Sequence, residues 1–154
     1  MKGTSEMLTL LNERLSEELT AISLYMVHSE MCANWGYDKL HASFEKQAID
    51  EMKHAEMLIG RILFLEGLPA VSKLQPMKIG TSVEEMMLAD EQSEAGAIKA
   101  YNDTIAAATG LGDNGTRELV AKILLDEERH IDWAETQRGL IAQVGLQNYL
   151  ATRG

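Results

Sequence analysis

Apolar residues recur at helical spacing through four long blocks of the chain. The first, 5–34, carries Leu8, Leu11, Leu15, Ile22 and Tyr25 on one stripe. It ends at Asn34-Trp35-Gly36, a turn sequence, and Asp38 is the candidate N-cap of the next block. The second, 38–65, aligns Phe44, Ala48, Ala55, Leu58, Ile62 and Leu65 and stops at Glu66-Gly67-Leu68-Pro69. The third begins after Ser82, which has capping-box spacing to Glu85, and sets Met87, Ile98, Tyr101 and Ile105 on one face. Gly110 to Gly115 breaks it, and a fourth block, 115–143, carries Val120, Ile123, Leu124, Ile131 and Ala134. Beyond Gly145, Leu146 to Thr152 predicts a short fifth helix. No alternating strand pattern competes.

The connections constrain the topology. Short breaks near 35 and 112 make blocks one and two antiparallel neighbours, and likewise three and four. The stretch 66–82 is long for a compact domain. Fully extended it reaches about 56 Å, more than the roughly 42 Å of a 28-residue helix. It can therefore run the length of the bundle. The expectation is an all-α four-helix bundle with one long crossover and a short fifth C-terminal helix, one domain over 1–154.

Each of the four apolar stripes contains a glutamate that does not belong there: Glu18, Glu51, Glu94 and Glu127. A buried, unpaired carboxylate costs several kcal/mol, so four in one core require cations or protons. Glu51 and Glu127 are each followed by histidine three residues on, His54 and His130, which places both donors on one helix face. The set also repeats with an offset of 76: Glu18 to Glu94, Tyr25 to Tyr101, Glu51 to Glu127 and His54 to His130. Around it, E-x-x-A-I-x-x-Y occurs twice, as does Asp-Glu-x-x-His, so the two helix hairpins read as copies about a pseudo-two-fold axis. One Glu-x-x-His alone is an ordinary surface pair, and one glutamate on an apolar stripe snorkels to water. Four at one depth with two histidines form a ligand set. It is the general pattern of the di-iron and di-manganese carboxylate bundles, and its donors suit two divalent metals such as iron or manganese. His28 and His41 lack such partners and read as ordinary polar residues, and Cys32 as a structural thiol.

Composition narrows the classes. With 24 acidic against 14 basic residues the formal charge is −10, which disfavours a broad grip on nucleic acid or anionic lipid. No uncharged apolar run is long enough to span a bilayer. A single cysteine excludes an intrachain disulfide and fits a reducing compartment. The opening Met1 to Glu6 shows no signal-peptide core, so a cytoplasmic protein without membrane or nucleic-acid partners is expected.

These residues resemble the bacterioferritins nearly end to end. The likeness is carried by Met1-Lys2-Gly3, Asn34-Trp35-Gly36, Ile49-Asp50-Glu51-Met52-Lys53-His54-Ala55, Arg61 to Pro69 and Gly145 to Leu150. The resemblance implies a homo-oligomeric, 24-subunit cage built of two-fold dimers, with two iron ions per subunit. There Fe²⁺ is oxidised by O₂ or H₂O₂ and ferric mineral is stored. It makes Glu18 and Glu94 terminal ligands, Glu51 and Glu127 bridges, and His54 and His130 ligands of one iron each. Tyr25 becomes a hydrogen-bond partner of the centre and an electron donor. Met52, about 100° round the helix from Glu51 on a stripe with Ile49 and Ile59, would ligate a haem b shared between two subunits. A ferredoxin-like reductant is implied as partner. The chain departs from the family at Met26 and Glu45, where aromatic residues are common beside the haem. Lys46 replaces an iron-binding histidine of the inner surface, and Tyr101 makes this chain unusually symmetric. The rival expectation is a di-iron peroxidase resembling rubrerythrin, against which stands the lack of any Cys-x-x-Cys pair. A metal-free structural assembly and a mini-ferritin, whose site straddles two subunits, are the remaining alternatives.

Overall fold

The computed structural model describes residues 1–154. Four long helices form as the periodicity predicts: α1 (Ser5–Asn34), α2 (Asp38–Phe64), α3 (Val83–Gly110) and α4 (Asn114–Val144), followed by the short α5 (Leu146–Ala151). Helix α1 starts where the Thr4 side chain accepts the Met7 amide and ends where Gly36 takes φ +86°, a backbone that L side chains rarely adopt. Asp38 is the first residue of α2 rather than its cap. Tyr37 occupies the capping position without a side-chain bond. Ser82 caps α3 by accepting from the Glu85 amide, while Glu85 reaches back to the Thr81 amide at 2.8 Å.

Helix α1 packs on α2 and α3 on α4. The two hairpins then meet through α1 against α3 and, more openly, α2 against α4. The crossover runs along α1, held by side chains at successive turns of that helix. Asn12 accepts from the Ala70 amide at 2.8 Å, Ser16 donates to the Lys73 carbonyl at 2.8 Å, and Thr20 accepts from the Gln75 amide at 2.8 Å. Two apolar clusters fill the interior. One gathers Leu11, Leu15, Leu58, Ile62, Val120 and Ile123, and the other Leu40, Phe44, Met86, Met87 and Tyr149. On α1 and α2 the glutamates Glu18 and Glu51 fall between these clusters, so hydrocarbon closes the acidic layer on both sides. No helix is long and apolar enough to cross a membrane.

Candidate metal centre

The four stripe glutamates and both histidines converge as the repeat predicts, and all six side chains are buried. They form two overlapping groups. Glu18, Glu51, His54 and Glu127 bring one ligand atom each within 4.8 Å of one another, and so do Glu51, Glu94, Glu127 and His130. Glu51 and Glu127 belong to both groups. That is the geometry of two neighbouring cations sharing two carboxylates.

The imidazoles are aimed. His54 Nε2 donates to Asp126 Oδ2 at 2.7 Å, and His130 Nε2 donates to Asp50 Oδ2 at 3.1 Å. Each aspartate comes from the opposite hairpin to the histidine it holds. Placing the ring proton on Nε2 leaves the Nδ1 lone pair facing the carboxylates. His54 Nδ1 is 2.9 Å from Glu127 Oε1 and 3.5 Å from Glu18 Oε2, and His130 Nδ1 is 2.9 Å from Glu51 Oε1. None of these contacts has hydrogen-bond alignment. Both Nδ1 atoms and one oxygen of each glutamate are left without a hydrogen bond. Buried polar atoms are almost always satisfied, so four carboxylate oxygens and two ring nitrogens left unpaired and facing one another form a cluster that could hold cations.

Without cations the cluster retains protons. Burial, reinforced by Glu51, holds Glu18 well above the usual carboxyl range, and burial with Glu127 does the same for Glu94. Burial also works to raise Glu127, but contacts with Glu94, His130 and His54 outweigh it and hold that carboxylate well below its usual range. For His54, burial opposes protonation, yet Glu127, Glu18 and Glu51 push it up to about 12. His130 is driven up likewise by Glu127, Glu51 and Glu94. Cations entering such a cluster would replace those protons.

Two tyrosines close the layer between α1 and α3. Tyr25 donates to Glu94 Oε1 and Tyr101 donates to Glu18 Oε1, a mirrored pair that gives Tyr101 a partner which spacing alone does not assign. An acidic opening of about 300 Å³, lined by Glu17, Glu18, Glu51, Glu94 and Glu127 and by Gln75 of the crossover, lies between the same helices. On the α2–α4 side, Lys46 is tied to Asp50 at 3.2 Å. Met52 lies away from the centre, 45% exposed, beside a groove lined by Ile22, Met26, Glu45, Ala48 and Ile49. The pattern assigns no role to Asp50 and Asp126, although the signal is present: each precedes a repeat glutamate and they too differ by 76. His28 is not an ordinary polar residue. It is fully buried, and its Nδ1 faces Asp90 Oδ1 at 3.3 Å.

Comparison with known proteins agrees with this geometry. A family profile described as a ferritin-like domain matches residues 8–144. The bacterioferritin of Brucella melitensis is 38% identical over 149 residues, covering 97% of this chain and 92% of that protein. The bacterioferritin of Mycolicibacterium paratuberculosis is 40% identical over 151 residues, covering 98% and 95%. The chain belongs to the bacterioferritins, in the ferritin-like family. A third relative, the bacterial ferritin of Synechocystis sp., is 40% identical over 154 residues, covering 99% of each chain. The bacterioferritin family thus matches this chain through all four long helices, and each of those helices supplies one glutamate to the centre.

Proposed function

We propose that residues 1–154 form a single di-iron domain that oxidises Fe²⁺ with O₂ or H₂O₂ and stores the ferric product within a cage of identical chains. The observation that carries this reading is the set of six buried, unsatisfied donors in two groups sharing Glu51 and Glu127. Glu18 with His54 and Glu94 with His130 would each hold one iron, with Glu51 and Glu127 within reach of both. When bound, the iron pair supplies the electrons that reduce the oxidant. The protein's part is positional. Asp126 and Asp50 orient the imidazoles, Tyr25 and Tyr101 fix the terminal carboxylates, and Glu18 and Glu94 release protons as cations arrive. The acidic opening between α1 and α3 gives Fe²⁺ a route of favourable sign.

The decisive variant is Glu51→Ala, which removes a bridge from both groups. Stopped-flow measurement is expected to show the fast phase of Fe²⁺ oxidation abolished; unchanged kinetics overturn the assignment. Met52 supports a second element of the same reading. Its exposed thioether, with Met26, Ile22 and Ile49 beside it, would hold a haem b shared with a second copy across a two-fold dimer. The purified oligomer is then expected to show a Soret band that Met52→Leu eliminates. A native mass near 24 chains supports the cage, whereas a dimer overturns it. A ferredoxin-like reductant would return stored iron to Fe²⁺. The curated relatives named here are ferritins, which sets the peroxidase alternative aside.

A further inference from the structure

The offset of 76 that relates the two halves of the centre also relates two buried polar contacts lying one turn outside it. Arg14 on α1 donates to Thr104 Oγ1 on α3 at 3.0 Å and to the Ala100 carbonyl at 3.1 Å. The equivalent positions are 90 and 104 less 76, that is Asp90 on α3 and His28 on α1, and these two also meet. The repeat therefore keeps the contact and reverses the charge. Arg14 is 7% exposed and Asp90 1%. Along the helix axes each lies four residues, about 6 Å, from a terminal glutamate: Arg14 from Glu18 and Asp90 from Glu94.

The two sides are not compensated alike. Arg14 is clasped by Glu17 through two short bonds, 2.7 and 2.8 Å, so that side carries a neutralised pair. Asp90 has only His28. The Gly80 amide donates to His28 Nε2 at 3.0 Å, which leaves the ring proton on Nδ1, toward Asp90. Only glycine delivers that amide, because a Cβ at residue 80 would stand 2.6 Å from the Met86 nitrogen. Neither Asp90 oxygen has an aligned hydrogen bond. Its charge is felt by Tyr25, whose hydroxyl burial and Glu94 already hold far above its usual range, and by Cys32, pushed to about 11 chiefly by burial.

We propose that this reversal makes the two subsites unequal: the Glu94–His130 subsite, flanked by Asp90, takes a divalent cation before the Glu18–His54 subsite, flanked by Arg14. The inference rests on the di-iron reading above. At an effective dielectric of about 20, an unneutralised carboxylate one to two turns from one site and about 4 Å farther from the other favours a dication at the nearer site several-fold. The first cation is held where its charge is best matched, and the second subsite exchanges more readily.

Metal-free protein titrated with Co²⁺ and examined by anomalous diffraction at one Co²⁺ per chain tests this without turnover. The expected result is occupancy at Glu94–His130 several-fold above that at Glu18–His54. Asp90→Asn is expected to bring the ratio close to one, and Arg14→Gln to narrow it by tightening the weaker subsite. Equal occupancy in the wild-type protein, first filling at Glu18–His54, or a ratio unmoved by both variants overturns the order while leaving the centre intact. Failure of Co²⁺ to enter either subsite overturns the di-iron reading, and the order with it. The wild-type measurement needs no variant to fold.

Discussion

His54 and His130 differ from His28 in what their second ring nitrogen is left to do. All three imidazoles are buried in one bundle core beside carboxylates. At the centre, Nε2 is engaged from outside by an aspartate and Nδ1 is turned inward on several carboxylates with no hydrogen bond. At His28, Nε2 is consumed by a backbone amide and Nδ1 faces one carboxylate. A buried histidine becomes a metal ligand when its surroundings fix one nitrogen as donor and leave the other's lone pair unanswered. When the engaged nitrogen instead accepts, as His28 Nε2 does from the Gly80 amide, the other keeps its proton toward a carboxylate and the same residue type joins helices.

The sharpest break of this comparison is a pair of truncations. His130→Ala is expected to abolish high-affinity Co²⁺ binding at its subsite, read from the cobalt absorption bands. His28→Ala is expected to keep two Co²⁺ per chain while losing about 3 kcal/mol of stability, because Asp90 and the Gly80 amide are left buried and unpaired. Loss of metal stoichiometry in His28→Ala would erase the distinction. Next in size, Asp126→Asn and Asp50→Asn each remove an orienting acceptor and are expected to weaken Co²⁺ binding about 10- to 100-fold, measurable by competition with a chelator.

The protonated state of the metal-free centre gives a third expectation, with a definite sign. The folded protein raises His54 from its ordinary value of 6.5 to about 12. Its contribution to stability is therefore complete below pH 6.5 and is lost as pH climbs toward about 12. Denaturation of the metal-free protein should show stability falling above neutrality, by up to about 1.4 kcal/mol per pH unit for one proton, and His54→Gln should flatten that slope. With Co²⁺ bound the trend should reverse, since cations take the place of protons. Last, Tyr101→Phe removes one hydrogen bond to Glu18 and is expected to cost about 1 kcal/mol, seen as a several-fold loss of Co²⁺ affinity at the Glu18–His54 subsite only.

Much of this is legible in the sequence alone. The four helices followed from period and breakers, and the ligand set from glutamates interrupting apolar stripes at a fixed offset, because helical geometry turns spacing directly into facing. What spacing cannot express is the partner across a helix interface. Glu18–Tyr101, His54–Asp126 and His28–Asp90 each join residues more than 60 positions apart. Their contacts depend on the depth and rotation at which the hairpins dock. Asp38 illustrates the finer limit: its composition suits a cap, but the chain leaves the turn one residue earlier, at Tyr37.

The crossover between Phe64 and Val83 has a consequence beyond linking the halves. Two separate, identical hairpins docked about a true two-fold axis could make the same hexad of ligands, but every residue beside one metal would then necessarily stand beside the other. Covalent joining lifts that degeneracy. Position 14 is arginine and position 90 is aspartate, a distinction no symmetric dimer of one gene product can draw. A connection that contributes no ligand is thus what allows a two-metal site to have a first and a second place.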